Sequence, residues 1–299
     1  EAKARFAGEL DGYLYSRYGN PTVTMFEQRM ALHEGAEACF ATASGMSAVF
    51  ASLMSYLKSG DEVVASRNLF GSCYHIFKQI LPRYGIKVRL INGTNLSEWK
   101  KYITKKTKCV FFETPSNPIM EIINIRSVVA IAHQYNAIVI VDNILASPIL
   151  QRPLDLGADI VIYSGTKHID GQGRSIGGAI LSSKKHYEEY LKPFIRHTGP
   201  TISPFNAWIL LKGLETLEYR MNQHCDNALQ IAKYLSQHLK VKKTIYPGLK
   251  NHPQYELAKE QMLKGGSIVT FIIKGNNAFK FMNALNLFDI SNNLGDAKS

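Results

Sequence analysis

Cysteine is scarce in this sequence: the 299 residues contain four, Cys39, Cys73, Cys109 and Cys225, with no C-x-x-C pair and no histidine cluster at metal-ligand spacing. A disulfide framework and a zinc site are therefore not expected to organise the chain. Long apolar runs are missing as well. No stretch reaches the roughly 18 apolar residues of a membrane-spanning helix, and Glu1-Ala2-Lys3-Ala4-Arg5 is too polar for the apolar part of a secretory signal. A cytoplasmic protein without membrane contact is the expectation. The sequence also lacks G-x-x-x-x-G-K-[ST] and G-x-S-x-G, the central residues of NTPases and of many serine hydrolases. Gly171, Gly173, Gly177 and Gly178 miss the dinucleotide-loop spacing by one residue, and a strand-like segment, 178–181, follows where that loop needs a helix. Repeats and low-complexity tracts are absent.

Basic residues are in excess, with a formal charge of +11, but they are dispersed. Lys100-Lys101, Lys105-Lys106-Lys108 and Lys242-Lys243 adjoin apolar segments without interleaved aromatics, so they read as solvated faces and a nucleic-acid partner is not expected. The excess favours small anionic substrates instead.

What is present is an ordinary globular composition, 45% hydrophobic and 20% charged, able to bury one large core or a major and a minor domain. Between residues 44 and 182 helical and strand periods alternate, which predicts an α/β domain around a largely parallel sheet. Met46, Val49, Phe50, Leu53, Met54 and Leu57 form one apolar helical stripe ending at Gly60. Short apolar runs at 62–65, 86–91, 109–112, 137–141 and 159–163 are rich in β-branched residues, as buried strands are. Past residue 222 the spacing of Cys225, Ala228, Ala232, Leu235 and Leu239 predicts an amphipathic helix, and 267–273 a strand. The organisation expected is an N-terminal arm and helix over 1–43, a main domain over 44–221, and the start of a smaller, incomplete domain over 222–299.

In a parallel sheet, chemistry collects beyond the carboxyl ends of the strands. The run 159–163 leads into Ser164-Gly165-Thr166-Lys167-His168, where two hydroxyls suit phosphate oxygens and a desolvated lysine becomes a nucleophile. By itself this is also an ordinary polar loop. The run 137–141 ends in Asp142-Asn143, placing at the same edge a carboxylate able to hold a protonated pyridine nitrogen, or simply a turn former. Ser44-Gly45-Met46 opens the helix above with unobstructed N–H groups that favour anions, although a Ser N-cap explains Ser44 equally well.

Together these segments resemble the Cys/Met metabolism family of pyridoxal 5′-phosphate (PLP) enzymes, which includes cystathionine γ-synthase, cystathionine and methionine γ-lyases and the homoserine-ester sulfhydrylases. The matching stretches are Tyr15-Ser16-Arg17-Tyr18-Gly19-Asn20-Pro21-Thr22, Ala43-Ser44-Gly45-Met46, Glu113-Thr114-Pro115-Ser116-Asn117-Pro118, Val141-Asp142-Asn143 and Ser164-Gly165-Thr166-Lys167. They run in family order over nearly the whole chain. Residues 167–174 and 293–299, together with Phe70 where most relatives carry a ring-stacking Tyr, look most like the O-succinylhomoserine sulfhydrylase branch. Phe keeps the stacking face and lacks the phenol hydroxyl.

The resemblance implies an aspartate-aminotransferase-like (fold type I) PLP-dependent transferase. It implies Lys167 as the Schiff-base lysine, and Asp142 on the pyridine nitrogen. Ser44, Gly45, Met46, Ser164 and Thr166 would lie about the phosphate, Phe70 on the ring face, Asn117 near the ring 3-oxygen and Asn293 at the substrate. Tyr15 and Arg17 look like the pair that relatives lend to the phosphate of a neighbouring subunit, which implies a homodimer or homotetramer with shared sites. Relatives continue further, and the arginine that grips the substrate carboxylate belongs to that continuation. The expected reaction is γ-replacement of the acyl group of an O-acyl homoserine by sulfide, yielding homocysteine for methionine biosynthesis. Cystathionine γ-synthase or γ-lyase activity is the near alternative, and a non-catalytic PLP-fold fragment the distant one.

Overall fold

The computed structural model describes residues 2–7, 12–275 and 277–298. Seven strands, β1 (Ala38–Thr42), β2 (Glu62–Ser66), β3 (Lys87–Ile91), β4 (Thr107–Glu113), β5 (Ile138–Asp142), β6 (Ile160–Ser164) and β7 (Gly178–Ser182), form one sheet in the order β1-β7-β6-β5-β4-β2-β3. The pairs within β2 to β6 are parallel, and β7 runs antiparallel to both β6 and β1. The largely parallel α/β sheet expected from periodicity is present, with one reversed strand near an edge.

Neighbouring residues of each central strand enter opposite cores. In β4, Cys109 and Phe111 point to one side, Val110 and Phe112 to the other; in β5, Ile140 opposes Val139 and Val141. Both sets meet helices, which is why the strands read as unbroken apolar runs instead of alternating with polar residues. One face is covered by Pro21–Glu34 and Pro204–Leu214, through Phe26, Met30 and Leu210, and by Ile125–His133, through Val128 and Ile131. The other receives Val49 and Leu53 of the helix Gly45–Met54. With both faces filled, polar side chains can gather only at the strand ends.

A second, two-stranded antiparallel sheet pairs β8 (Val241–Ile245) with β9 (Thr270–Ile273), beside the long helix Leu217–Gln237. Tyr246 packs on Ala228 and Ala232 and donates its hydroxyl to Gly266 O at 2.9 Å.

Two boundaries differ from the sequence expectation. The helix opening at Gly45 stops at Met54 rather than continuing to Gly60, and a turn in which Asp61 accepts from Lys58 N at 2.8 Å leads into β2. The strand expected over 267–273 pairs only from Thr270, and Ser267 before it bonds through its hydroxyl to His168 Nε2 at 2.7 Å.

Beneath the sheet edge runs a buried polar chain. Tyr163 donates to Glu34, Asn143 donates to the Tyr163 oxygen at 2.6 Å, Gln151 donates to Asn143 Oδ1 at 2.8 Å, and Gln261 donates to Gln151 at 2.9 Å. Burial pushes the Glu34 carboxyl from 4.5 up to about 7, although Tyr163 and the Leu154 N–H donate to it. Because the folded-state value is raised, the contribution is complete below about pH 4.5 and is lost as pH rises to about 7. Unfolding by urea at a series of pH values should show stability falling across that window. Glu34→Gln keeps an acceptor for Tyr163 and cannot ionise, so it should remove on the order of 3 kcal/mol of that fall; an identical slope in the variant would contradict the assignment.

Candidate active site

The carboxyl ends of five strands border one cavity of about 240 Å3. Its wall includes Ser44, Gly45 and Met46 after β1, Phe70 and Cys73 after β2, Glu113 and Asn117 at β4, Asp142 at β5, and Ser164, Thr166 and Lys167 at β6. Asn292 and Leu294 close it from the C-terminal segment.

Asp142 is the last residue of β5 and pairs in register with Glu113 of β4. It is buried, and its Oδ1 accepts one main-chain bond, from Ile144 N at 3.2 Å. Burial pushes its carboxyl from 3.8 up to about 7. No ion pair to it forms among the described residues. A carboxylate placed this way lacks a cation and is strengthened by any cationic nitrogen that enters the cavity.

Lys167 sits three residues past the end of β6, where the main chain leaves helical geometry at φ −90°, ψ −125°. Burial lowers its amine below the usual lysine range, and the carboxylate of Asp296 acts in the opposite sense. Its Nζ donates to Asn293 Oδ1 at 2.8 Å, and Asn293 Nδ2 in turn donates to Asp296 at 2.7 Å. Gly295 makes this approach feasible, because a Cβ there would lie 2.7 Å from His168 N. The amine is thus a poised base and nucleophile.

At the remaining end, Ser44 caps the helix Gly45–Met54, its hydroxyl accepting from Ser47 N at 3.1 Å, so the cap reading of Ser44 holds and the residue lines the cavity too. A Cβ on Gly45 would come within 2.8 Å of Ser164 Cβ; glycine leaves the helix N-terminus and the Ser164 side chain face to face. Thr166 Oγ1 accepts from Gly177 N at 3.3 Å, which fixes the loop that carries Lys167. Hydroxyls converging on a helix start suit a phosphate.

Nine of the expected residues line this cavity: Ser44, Gly45, Met46, Phe70, Asn117, Asp142, Ser164, Thr166 and Lys167. Asn293 reaches it through the Lys167 amine. Tyr15 and Arg17 lie elsewhere. Tyr15 is 55% exposed, and Arg17 lies over the Tyr18 ring, 4.7 Å from its centre, and donates to Arg196 O. Glu113 and Cys73 were not singled out from sequence. Glu113 carried a usable signal, since it ends a buried strand at the same edge as Asp142.

These features fit pyridoxal phosphate: a buried acid without a cation, a depressed lysine, an aromatic wall at Phe70, and a hydroxyl-lined helix start opened by Gly45. Among the described residues there is no cluster suited to a metal ion, and no helix is long and apolar enough to cross a membrane.

Comparison with known proteins agrees. The family model of the Cys/Met metabolism PLP-dependent enzymes matches residues 1–299. The chain is 51% identical to an O-succinylhomoserine sulfhydrylase of Mycobacterium tuberculosis, over all of this chain and 75% of that protein. It is 46% identical to one of Pseudomonas aeruginosa, over all of this chain and 74% of that protein. An L-methionine gamma-lyase of Porphyromonas gingivalis is 40% identical over 99% of this chain and 75% of its own length. The crystal structure of metB from Corynebacterium glutamicum superposes with a TM-score of 0.94 at 36% identity, covering 96% of this chain and 75% of that one. With its fold type I architecture and a cavity that fits the cofactor, the chain belongs to the Cys/Met metabolism family of enzymes that depend on pyridoxal phosphate.

Proposed function

We propose that this enzyme exchanges the succinyl group of O-succinyl-L-homoserine for sulfide, releasing succinate and homocysteine, a step of methionine biosynthesis. The observation that carries the reading is a cavity lined by both Asp142 and Lys167. The sulfhydrylase relatives of Mycobacterium tuberculosis and Pseudomonas aeruginosa, at 51% and 46% identity, are more similar to it than the γ-lyase of Porphyromonas gingivalis at 40%, which supports the choice among related reactions.

When bound, pyridoxal phosphate supplies an electron sink for bonds broken next to the substrate amine. Asp142, at the end of β5, would be held as a carboxylate by a cationic ring nitrogen beside it and in turn would keep that nitrogen protonated. Lys167 would anchor the cofactor and, once released, its amine would take the α-proton and then serve as base for a β-proton, whose loss leaves the electrons that expel the γ-acyl group as its carboxylate. Phe70 offers a stacking surface and no proton, so proton movement falls to Lys167. Ser44, Gly45, Met46, Ser164 and Thr166 would hold the phosphate arm, Asn117 the ring oxygen, and Asn293 would lie toward the substrate. Tyr15, exposed on this chain, and the half-buried Arg17 would serve the phosphate of a second copy, making the working unit a homodimer or homotetramer. Residues 1–43 act as that arm, 44–221 as the cofactor domain and 222–299 as part of the substrate-side domain, and the enzyme works in the cytoplasm.

A second reading, γ-lyase or cystathionine γ-synthase activity, draws on the lyase relative and the metB superposition. Assays with O-succinyl- and O-acetylhomoserine, each with sulfide or cysteine, separate the three. Homocysteine from the succinyl ester and sulfide is the expected product; cleavage of methionine or cystathionine with both esters inert would refute the sulfhydrylase reading.

Borohydride reduction followed by mass spectrometry should find a phosphopyridoxyl group on Lys167. Lys167→Ala should abolish that adduct and lower kcat by about a thousandfold or more, since both the attachment and the proton shuttle are lost. Asp142→Asn should leave the adduct in place while reducing kcat by roughly a hundredfold, because the ring nitrogen loses its buried counter-charge. Equal kcat in the parent and Asp142→Asn would remove Asp142 from the mechanism.

A further inference from the structure

Glu113 lines the cavity and has no part in the chemistry above. It is 4% exposed, and its two oxygens are used separately: Oε2 accepts from Phe70 N at 2.8 Å and Oε1 from Asn117 N at 2.9 Å. Those N–H groups belong to different loops, one following β2 and one following β4, neighbouring strands of the sheet. A second tie joins the same loops, Asn68 Nδ2 donating to Glu121 at 2.5 Å. A carboxylate is the side chain suited to this place, because it presents two acceptors and no donor.

We propose that Glu113 is a positioning residue whose carboxylate clamps the main chains at Phe70 and Asn117, setting the gap between the two loops that enter the cofactor cavity. The inference rests on the proposed cofactor roles of Phe70 and Asn117 for its consequence, and on hydrogen bonds alone for the clamp. Burial first and the adjacent Asp142 second push the Glu113 carboxyl up, while the N–H groups of Phe70 and Asn117 act in the opposite sense and favour the carboxylate that accepts from both.

Glu113→Gln tests this. The amide can accept one of the two N–H groups and turns a donor toward the other, so one loop is released. In cofactor-free protein, amide hydrogen exchange should quicken in peptides covering 67–73 and 114–121 while peptides from β4 and β5 keep their protection. In cofactor-loaded protein, pyridoxal phosphate should bind roughly tenfold to a hundredfold more weakly, and the visible circular dichroism of the bound cofactor should diminish. Borohydride should still mark Lys167. Glu113→Asp, which keeps the charge with a shorter reach, should fall between the parent and Glu113→Gln and serves as the test if Glu113→Gln does not fold. Unchanged exchange in both loops overturns the clamp, as does exchange that quickens uniformly across the protein, which would make Glu113 a general core residue. If the parent takes no label on Lys167, the cofactor-site reading fails, and the exchange measurement still decides the clamp.

Discussion

A carboxylate ending a buried central strand, with no cation paired to it among the described residues, is the constraint on which this molecule turns. Asp142 lies under two covered faces of the sheet, and its one main-chain donor is 3.2 Å away. Water cannot solvate it freely there, so its charge is favoured only when a positive group enters from the open edge. A cavity with this carboxylate in its wall suits a cationic group at that end. The same burial that makes Asp142 a demanding acid depresses the amine of Lys167, so one physical cause prepares both ends of the site.

Holding such a charge requires a rigid surround. Asn143, the next residue, is tied through Tyr163 to Glu34 on one side and through Gln151 to Gln261 on the other, so the end of β5 is anchored both to the helix Pro21–Glu34 and to the helix Tyr255–Gln261. Arg220 plays a similar part for the lysine, donating to His168 O at 2.6 Å and to Ile169 O at 3.2 Å just beyond it. Satisfied buried networks of this kind specify one arrangement, because breaking any member leaves a polar group unpaired.

Much of this was legible in residue order. The strands expected at 62–65, 109–112, 137–141 and 159–163 appear within a residue or two of those limits, since β-branched runs covered on both faces leave few alternatives. Strand β1 was not anticipated: Ala38–Thr42 carries only one large apolar residue, Phe40, and is held at the sheet through its pairing with β7. Ser44 shows how two readings of one residue can both hold, for it caps a helix and faces the cavity in the same conformation.

Sequence by itself determined the apolar strands, the polar residues at their carboxyl ends and the family signature, because these depend on local periodicity and on the order of short motifs. Tertiary structure decided that β7 runs in reverse, that Glu113 bonds two separate loops, and that Asn293 meets the amine of Lys167 across 126 positions of chain. Those outcomes are set by which strand ends and which loops come to lie side by side. That adjacency arises from packing helices onto both faces of the sheet, and no local run of residues encodes it.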